Sequence, residues 1–443
     1  MRRIGIIGLG AALTGAFAAC GGSGTKTSGG QPNAVDGGTT PSTGTTDGGN
    51  GHTMTNADAA AAGPERLLVT YAGSSTSETV VFNVSTKAVD GRLSFPSLGM
   101  TSSQNSMSPF LLEQVSDVVA ELNAAQPWNV QSSWSTAMSD SVDGGAYYSD
   151  PVQVIVGSPK NAYILRYQRN NIAVFDPSSA ADGGSPMSSV DLSSFVQAGD
   201  SDGLVEMTAG AYVASSNRLY VVLANINQDT EVNGAVICSN EVSTVVAIDT
   251  TNNSVASLGG SGPKGSIALK YYNPISAAYD ATGNRLIVVS AGCNASGSGG
   301  ADAGSLGTAT RRGIEAVDLA SGASTSLLDL DTATFPAGFV DLPSAFVYVD
   351  STHAILQFDS TGQAVYNWNP TQTTVGVVIP NAPDVFAYDG NGNILGTRLD
   401  STTMVTSVVS VAIATGASTT LATSLTSITG ASYTASVDVW PHP

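Results

Sequence analysis

The chain has 443 residues, 16 Lys and Arg against 35 Asp and Glu, a net charge of −19, and 42% hydrophobic side chains. At roughly 100–200 residues per domain, that allows two or three domains or one large β-domain. Charged residues make up only 12%, so Ser, Thr, Asn, Gln and Gly must cover the surface, and the acidic balance excludes nucleic acid because nothing would neutralise a row of phosphates.

Residues 1–19 read as a secretory signal. Arg2 and Arg3 supply the positive start, and Ile4 to Ala19 is apolar but short for a permanent membrane helix. The tail Phe17-Ala18-Ala19-Cys20 resembles a bacterial lipobox, with Phe where that family prefers Leu. The resemblance implies that Cys20 is lipidated and becomes the mature N-terminus. Gly21 rather than Asp after it implies the outer membrane of a Gram-negative envelope. Ordinary cleavage after Ala16-Phe17-Ala18 is the alternative.

Residues 20–63 are Gly, Ser, Thr, Asn, Ala and Asp-Gly-Gly, with hardly a large apolar side chain. Such a segment cannot bury enough surface to offset its ordering entropy, and reads as a disordered tether spanning roughly 35–40 Å.

From 64 to 443 the texture is all-β. Short β-branched and aromatic runs such as Leu67–Tyr71, Val152–Val156, Leu219–Leu223 and Val408–Ile413 are closed by Gly, Asn, Asp, Ser or Pro. One helix is predicted, near residues 108–125. Ser108-Pro109 forms an N-cap and N1 pair, Phe110, Leu111, Val115, Val118, Val119 and Leu122 recur at helical spacing, and Pro127 ends it. It reads as an amphipathic cover for a sheet edge or channel mouth, or as a partner-binding element.

A repeat carries the fold argument. Tyr212-Val-Ala-Ser-Ser-Asn-Arg-Leu-Tyr-Val-Val222 and Tyr279-Asp-Ala-Thr-Gly-Asn-Arg-Leu-Ile-Val-Val289 share most positions. Each is followed by a second strand ending in Asp and a polar turn, at Val245–Asp249 and Ile314–Asp318. Related second strands lie at Thr79–Ser85, Ile172–Pro177, Ala364–Pro370 and Ser407–Gly416. Periods of roughly 45–75 residues with several strands per unit point to propeller blades, which pack around an axis because each is apolar on both faces. Asn217-Arg-Leu-Tyr-Val-Val-Leu-Ala-Asn225 followed by Ser243-Thr-Val-Val-Ala-Ile-Asp-Thr-Thr-Asn-Asn-Ser-Val255 resembles the YVTN-type β-propeller repeat. That resemblance implies a seven-bladed β-propeller. Six second-strand repeats are visible, so six blades is the alternative. The strand Ser432–Trp440 is placed to complete the first blade.

Candidate sites are few. Beyond Cys20, Cys238 and Cys293 are an even pair in an exported chain and are expected to form a disulfide across the ends of the two best repeats. His353 is the one histidine within the domain ahead of the tail residue His442, no G-x-S-x-G accompanies it, and a structural role is expected. Asp389-Gly-Asn391-Gly-Asn393 has oxygen ligands at calcium-loop spacing, but it lacks the glycine and the final Glu of that loop and matches a hairpin turn. It stands as a weak metal candidate. The run Asp359–Trp368 is similar to the tryptophan-docking motif of quinoprotein propellers, one residue short, and reads as hairpin chemistry. Trp128, Trp134, Tyr147 and Tyr148 could stack on sugars or a peptide, or pack against their own domain. No catalytic residue is assigned and no cofactor is predicted.

The leading expectation is a lipid-anchored cell-envelope propeller acting as a non-catalytic binding or scaffold module, with an envelope protein or glycan as partner. The insertions at 226–243 and 291–312 are its expected contact surface. The alternative is a propeller hydrolase, lactonase-like, or an oxidoreductase with a carboxylate or metal site at the channel mouth. Three or four convergent Asp, Glu or Asn there would favour the alternative.

Overall fold

The computed structural model describes residues 65–442, apart from 74–75, 97, 105, 139, 141–147, 180–181, 185–187, 228–235, 237, 239, 295–308, 334, 336–341, 360–363, 401, 404, 427 and 429–432. The lipidation candidate Cys20, the signal and the tether lie outside these residues.

The strands form seven blades. Blades 3 to 7 start at Pro151–Ser158, Met207–Val213, Pro274–Asp280, Leu342–Asp350 and Val385–Tyr388, and blade 2 at Gly99–Thr101. Each of these innermost strands is followed outward by antiparallel neighbours. Blade 1 takes its innermost strand from the other end of the chain: Tyr433–Trp440 pairs antiparallel with Arg66–Ala72, setting Arg66 opposite Trp440. The ring is thus closed by strand pairing.

The blade faces explain the unbroken apolar runs. In blade 3, Ile155, Leu165 and Val174 pack toward blade 4, while Val154, Ile164 and Phe175 pack toward blade 2. Successive side chains of a strand point to opposite faces, and here both faces are buried. One such cluster fills each of the seven junctions between neighbouring blades.

The Tyr–Asn repeat also has a local cause. Asn217 and Asn284 take φ of 49° and 47° in the turn after the innermost strands of blades 4 and 5, a conformation that Asn tolerates better than most residues. Tyr212 and Tyr279 each donate a hydroxyl hydrogen bond to the amide oxygen of the Asn five residues on, at 3.4 and 3.2 Å. Conserving this turn in two blades preserves the register of the strands beyond it.

The predicted helix at 108–125 is overturned. Phe110–Glu113 and Val118–Leu122 are the second and third strands of blade 2, with Phe110 opposite Glu121 and Glu113 opposite Val118. A four-residue turn ending at Asp117, whose φ is 55°, joins them. Two short strands buried on both faces, separated by a turn as long as one helical turn, reproduce helical spacing of apolar residues. This hairpin also holds the missing repeat. The six visible second-strand repeats are the third strands of blades 1, 3, 4, 5, 6 and 7, and Val118–Leu122 is the third strand of blade 2.

Two excursions tie blades together. Ser103–Gln104 runs parallel along the inner edge of blade 3, beside Val154 and Ile155. Asp182–Gly184 runs parallel along the outer edge of blade 2.

Candidate functional site

Innermost strands begin at one end of the ring, here called the upper face, where the connections from second to third strands also lie. A single backbone bond recurs there. The carbonyl just before the innermost strand accepts the N–H just after the second strand: Gln114 to Leu98, Tyr167 to Asp150, Ala224 to Glu206 and Ala291 to Asn273, each at 2.9 Å. Asp150, Glu206 and Asn273 hold φ of 52°, 43° and 54°. Blades 3, 4 and 5 therefore each open with a polar residue in a left-handed conformation, which for a residue with a Cβ persists only where its surroundings fix it.

Blade 4 adds more acid to this station. The approach Asp200-Ser-Asp202-Gly-Leu-Val-Glu206 is held from several sides. Asn170 donates to the Gly203 carbonyl at 2.8 Å and accepts the Val205 N–H at 3.1 Å. Asp202 accepts the Leu204 N–H at 2.9 Å, and Asp200 accepts the Asp202 N–H at 3.2 Å. Glu206 is fully buried and its Oε2 accepts the Ile226 N–H at 3.0 Å. As a result Asp200, Asp202 and Glu206 each present one carboxylate oxygen, all within 4.8 Å of one another.

Within this arrangement Asp200 and Asp202 repel each other when both are ionised. Burial and the neighbouring Asp202 push the Asp200 carboxyl well above the usual carboxylate range. Its Oδ2 is buried with no hydrogen-bond partner. Calcium binds oxygen at 2.3–2.6 Å, so two ligand oxygens on opposite sides of one ion lie about 5 Å apart. Three oxygens all within 4.8 Å of one another fit inside that span. The donors are all carboxylate oxygens, which select hard cations over zinc or copper.

The predicted disulfide is present. Cys238 and Cys293 are bonded, with Cα atoms 4.9 Å apart and 55 positions between them in sequence. Cys238 N–H donates to the Asn294 carbonyl, and Asn294 N–H to that of Val236. The insertions of blades 4 and 5 are thus joined on the upper face. Beneath them Tyr167, Ala224, Ile226, Tyr272 and Cys293 form a buried apolar cluster, and the Tyr272 hydroxyl donates to the Asn225 carbonyl at 3.3 Å.

Other candidates are placed elsewhere. His353 is exposed as the first residue of the second strand of blade 6, at the opposite end of the ring, its Nδ1 3.1 Å from Asp350 and 3.0 Å from the Thr352 hydroxyl. Asp389 accepts the N–H groups of Asn391 and Asn393 at 2.7 and 2.9 Å, and the Asn393 amide at 2.7 Å. Asp389 and Asn393 are thereby engaged in closing the hairpin. Trp134 is buried against Phe110 and Phe175, and Trp128 lies under the Arg66 guanidinium. Tyr148 is exposed, and Tyr147 falls outside the described residues. Trp368 is buried and donates its ring N–H to the Gln372 carbonyl.

Sequence reasoning passed over Asp200, Asp202 and Glu206. The signal was there, two acids alternating with Ser and Gly ahead of a third. What makes it a cluster is the pairing of Ala224 and Ile226 against Glu206, which folds the third acid back on the first two.

No family model matches the chain, and no curated protein sequence matches it. Solved structures do. A candidate 6-phosphogluconolactonase from Bacteroides fragilis superposes with a TM-score of 0.50 at 12% identity, over 85% of this chain and 97% of that one. A protein from Lactobacillus plantarum gives 0.50 at 12%, over 85% and 99%. At this identity the likeness is one of fold, and it agrees with the strand pairing: this chain is a seven-bladed β-propeller.

Proposed function

We propose that this chain is a lipid-anchored, outer-membrane propeller with YVTN-type repeats, and that it is a divalent-cation-dependent hydrolase of small cyclic esters. The convergence of Asp200, Asp202 and Glu206 at the upper face carries the reading. It is the convergent acid set that separates a channel-mouth enzyme from a passive scaffold. A hard cation held there would supply Lewis acidity toward an ester carbonyl. The chain's own part is orientation. Ile226 fixes the Glu206 carboxylate, Asn170 fixes the loop, and the joined insertions of blades 4 and 5 flank the site.

The test is hydrolysis of a lactone panel by the mature protein with Ca²⁺, with Mg²⁺ and with EDTA. Turnover that vanishes in EDTA and falls at least 100-fold in Asp202→Asn supports the proposal. Turnover unaffected by EDTA, or none on any lactone despite bound cation, overturns it. The anchor is tested separately, by palmitate labelling that disappears in Cys20→Ala. A binding module remains the second reading, favoured by the disulfide that fastens the two insertions into one surface.

A further inference from the structure

We infer that Glu241 is a fourth acid of the Asp200–Asp202–Glu206 centre, joined to the ion through a bridging water, and that the completed site takes calcium in preference to magnesium. The inference rests on the cation reading above and adds the ion and a residue that helps to choose it.

Glu241 lies in the connection between the second and third strands of blade 4 and is 5% exposed. Its Oε2 is buried without a hydrogen-bond partner. Its Oε1 lies directly over Gly199, so close that a Cβ there would stand 2.2 Å away. Gly199 does not have a positive φ, so its backbone has no need of glycine. The missing side chain leaves room for a carboxylate over the residue that directly precedes Asp200 in the chain.

The placement is enforced from both sides. Gln197 donates its amide to the Val242 carbonyl at 2.7 Å and accepts the Val242 N–H at 3.0 Å. This clamp holds residues 197–199 alongside 241–242. Among the described residues neither Glu241 nor Asp200 forms an ion pair with Lys or Arg. A buried carboxylate without a counter-charge is costly. A cation held at the three acids, with a water reaching Glu241, offsets that cost.

The Glu241 oxygens fall outside the group that lies within 4.8 Å, hence the bridging water. Calcium accepts six to eight oxygens in flexible geometry and commonly takes one through water. Magnesium demands a near-ideal octahedron at 2.0–2.1 Å. A site assembled from two loops, one acid entering from a distance, suits the larger ion.

The test is titration calorimetry of the mature protein with CaCl₂ and MgCl₂, on wild type, Glu241→Gln, Gly199→Ala and Asp202→Asn. Thermal midpoints in EDTA report whether each variant is folded. Calcium should bind wild type more tightly than magnesium, and Asp202→Asn should not bind it. Glu241→Gln should weaken calcium about 10–100-fold, as loss of an outer carboxylate does, with its EDTA midpoint unchanged or raised. Gly199→Ala, which displaces the carboxylate, should weaken calcium in the same direction. Equal calcium affinity in wild type and Glu241→Gln overturns the role of Glu241 and leaves the three-acid site standing. Tighter magnesium binding overturns the choice of ion. Failure of wild type to bind either cation removes the three-acid site itself.

Discussion

Asn170 holds Val205 as Asp117 holds Ser149. Each side chain sits in the turn after the second strand of its blade, and each accepts the N–H of the residue just before the left-handed residue that opens the next blade. The Asn170 oxygen accepts Val205 N–H at 3.1 Å, and Asp117 accepts both the N–H and the hydroxyl of Ser149. These are side-chain crosslinks between blades 2 and 3 and between blades 3 and 4. Asn170 is 6% exposed, so Asn170→Ala leaves a buried N–H and a half-buried carbonyl unmatched. The expected loss is about 2–3 kcal/mol in urea unfolding. Calcium affinity should fall with it, because the same amide restrains the loop carrying Asp200 and Asp202. A variant as stable as wild type would show that water replaces the crosslink.

The Cys238–Cys293 bridge closes a loop of 55 residues. The chain-entropy relation gives about 4 kcal/mol as the most such a closure contributes. Cys293→Ser should lose about 2–4 kcal/mol. Its unfolding midpoint should be the same with and without dithiothreitol, whereas the wild-type midpoint should drop in the reductant. Coincident curves for the two proteins in oxidising buffer would mean that the backbone bonds among Val236, Cys238 and Asn294 and the apolar cluster beneath hold the insertions together without the bridge.

The fold was legible in the sequence wherever a repeat preserved its turn chemistry. Tyr212 and Asn217, with their counterparts Tyr279 and Asn284, could be read because a left-handed residue demands a particular side chain. Blade 2 lacks that signature. Its strands Phe110–Glu113 and Val118–Leu122 are only four and five residues long, and a strand buried on both faces has no alternation to distinguish it from helix. The acid cluster was hidden for a different reason. Glu206 is set against Asp200 by bonds to Ile226 and Ala224, some twenty positions away, and Glu241 comes from farther along still. Spacing along the chain records none of that. Cys238 and Cys293 were legible because the two thiols left in the domain have a single way to pair.

Ring closure should be the most fragile feature of the fold. Trp440 is fully buried in the junction between blades 1 and 2, and its ring N–H donates to the Ala124 carbonyl at 2.9 Å. Trp440→Ala removes the ring's packing and leaves that carbonyl unmatched, for a loss of about 3–5 kcal/mol in denaturant unfolding. A chain ending at residue 432 exposes the edge of Arg66–Ala72 and should not give a cooperative transition. A cooperative transition in that truncated chain would mean that six complete blades hold the ring without the closing strand.

Asp150 should make stability fall as pH rises. It occupies in blade 3 the position of Glu206 in blade 4, and burial together with the Asp117 carboxylate lifts it to about 7. In the same blade the buried Arg166 pairs with the half-buried Asp140, which Arg169 also approaches. An unfolded Asp titrates near 3.9, so between about pH 4 and pH 7 the folded chain binds the Asp150 proton more tightly. The resulting stabilisation is complete below pH 4 and is lost as pH rises through 7. Asp150→Asn keeps the shape and removes the titration. Urea unfolding in EDTA, which keeps cations from the blade 4 acids, should show the variant gaining on wild type between pH 5 and pH 8. Parallel pH profiles for the two proteins would place the titrating group elsewhere and leave Asp150 as a turn residue only.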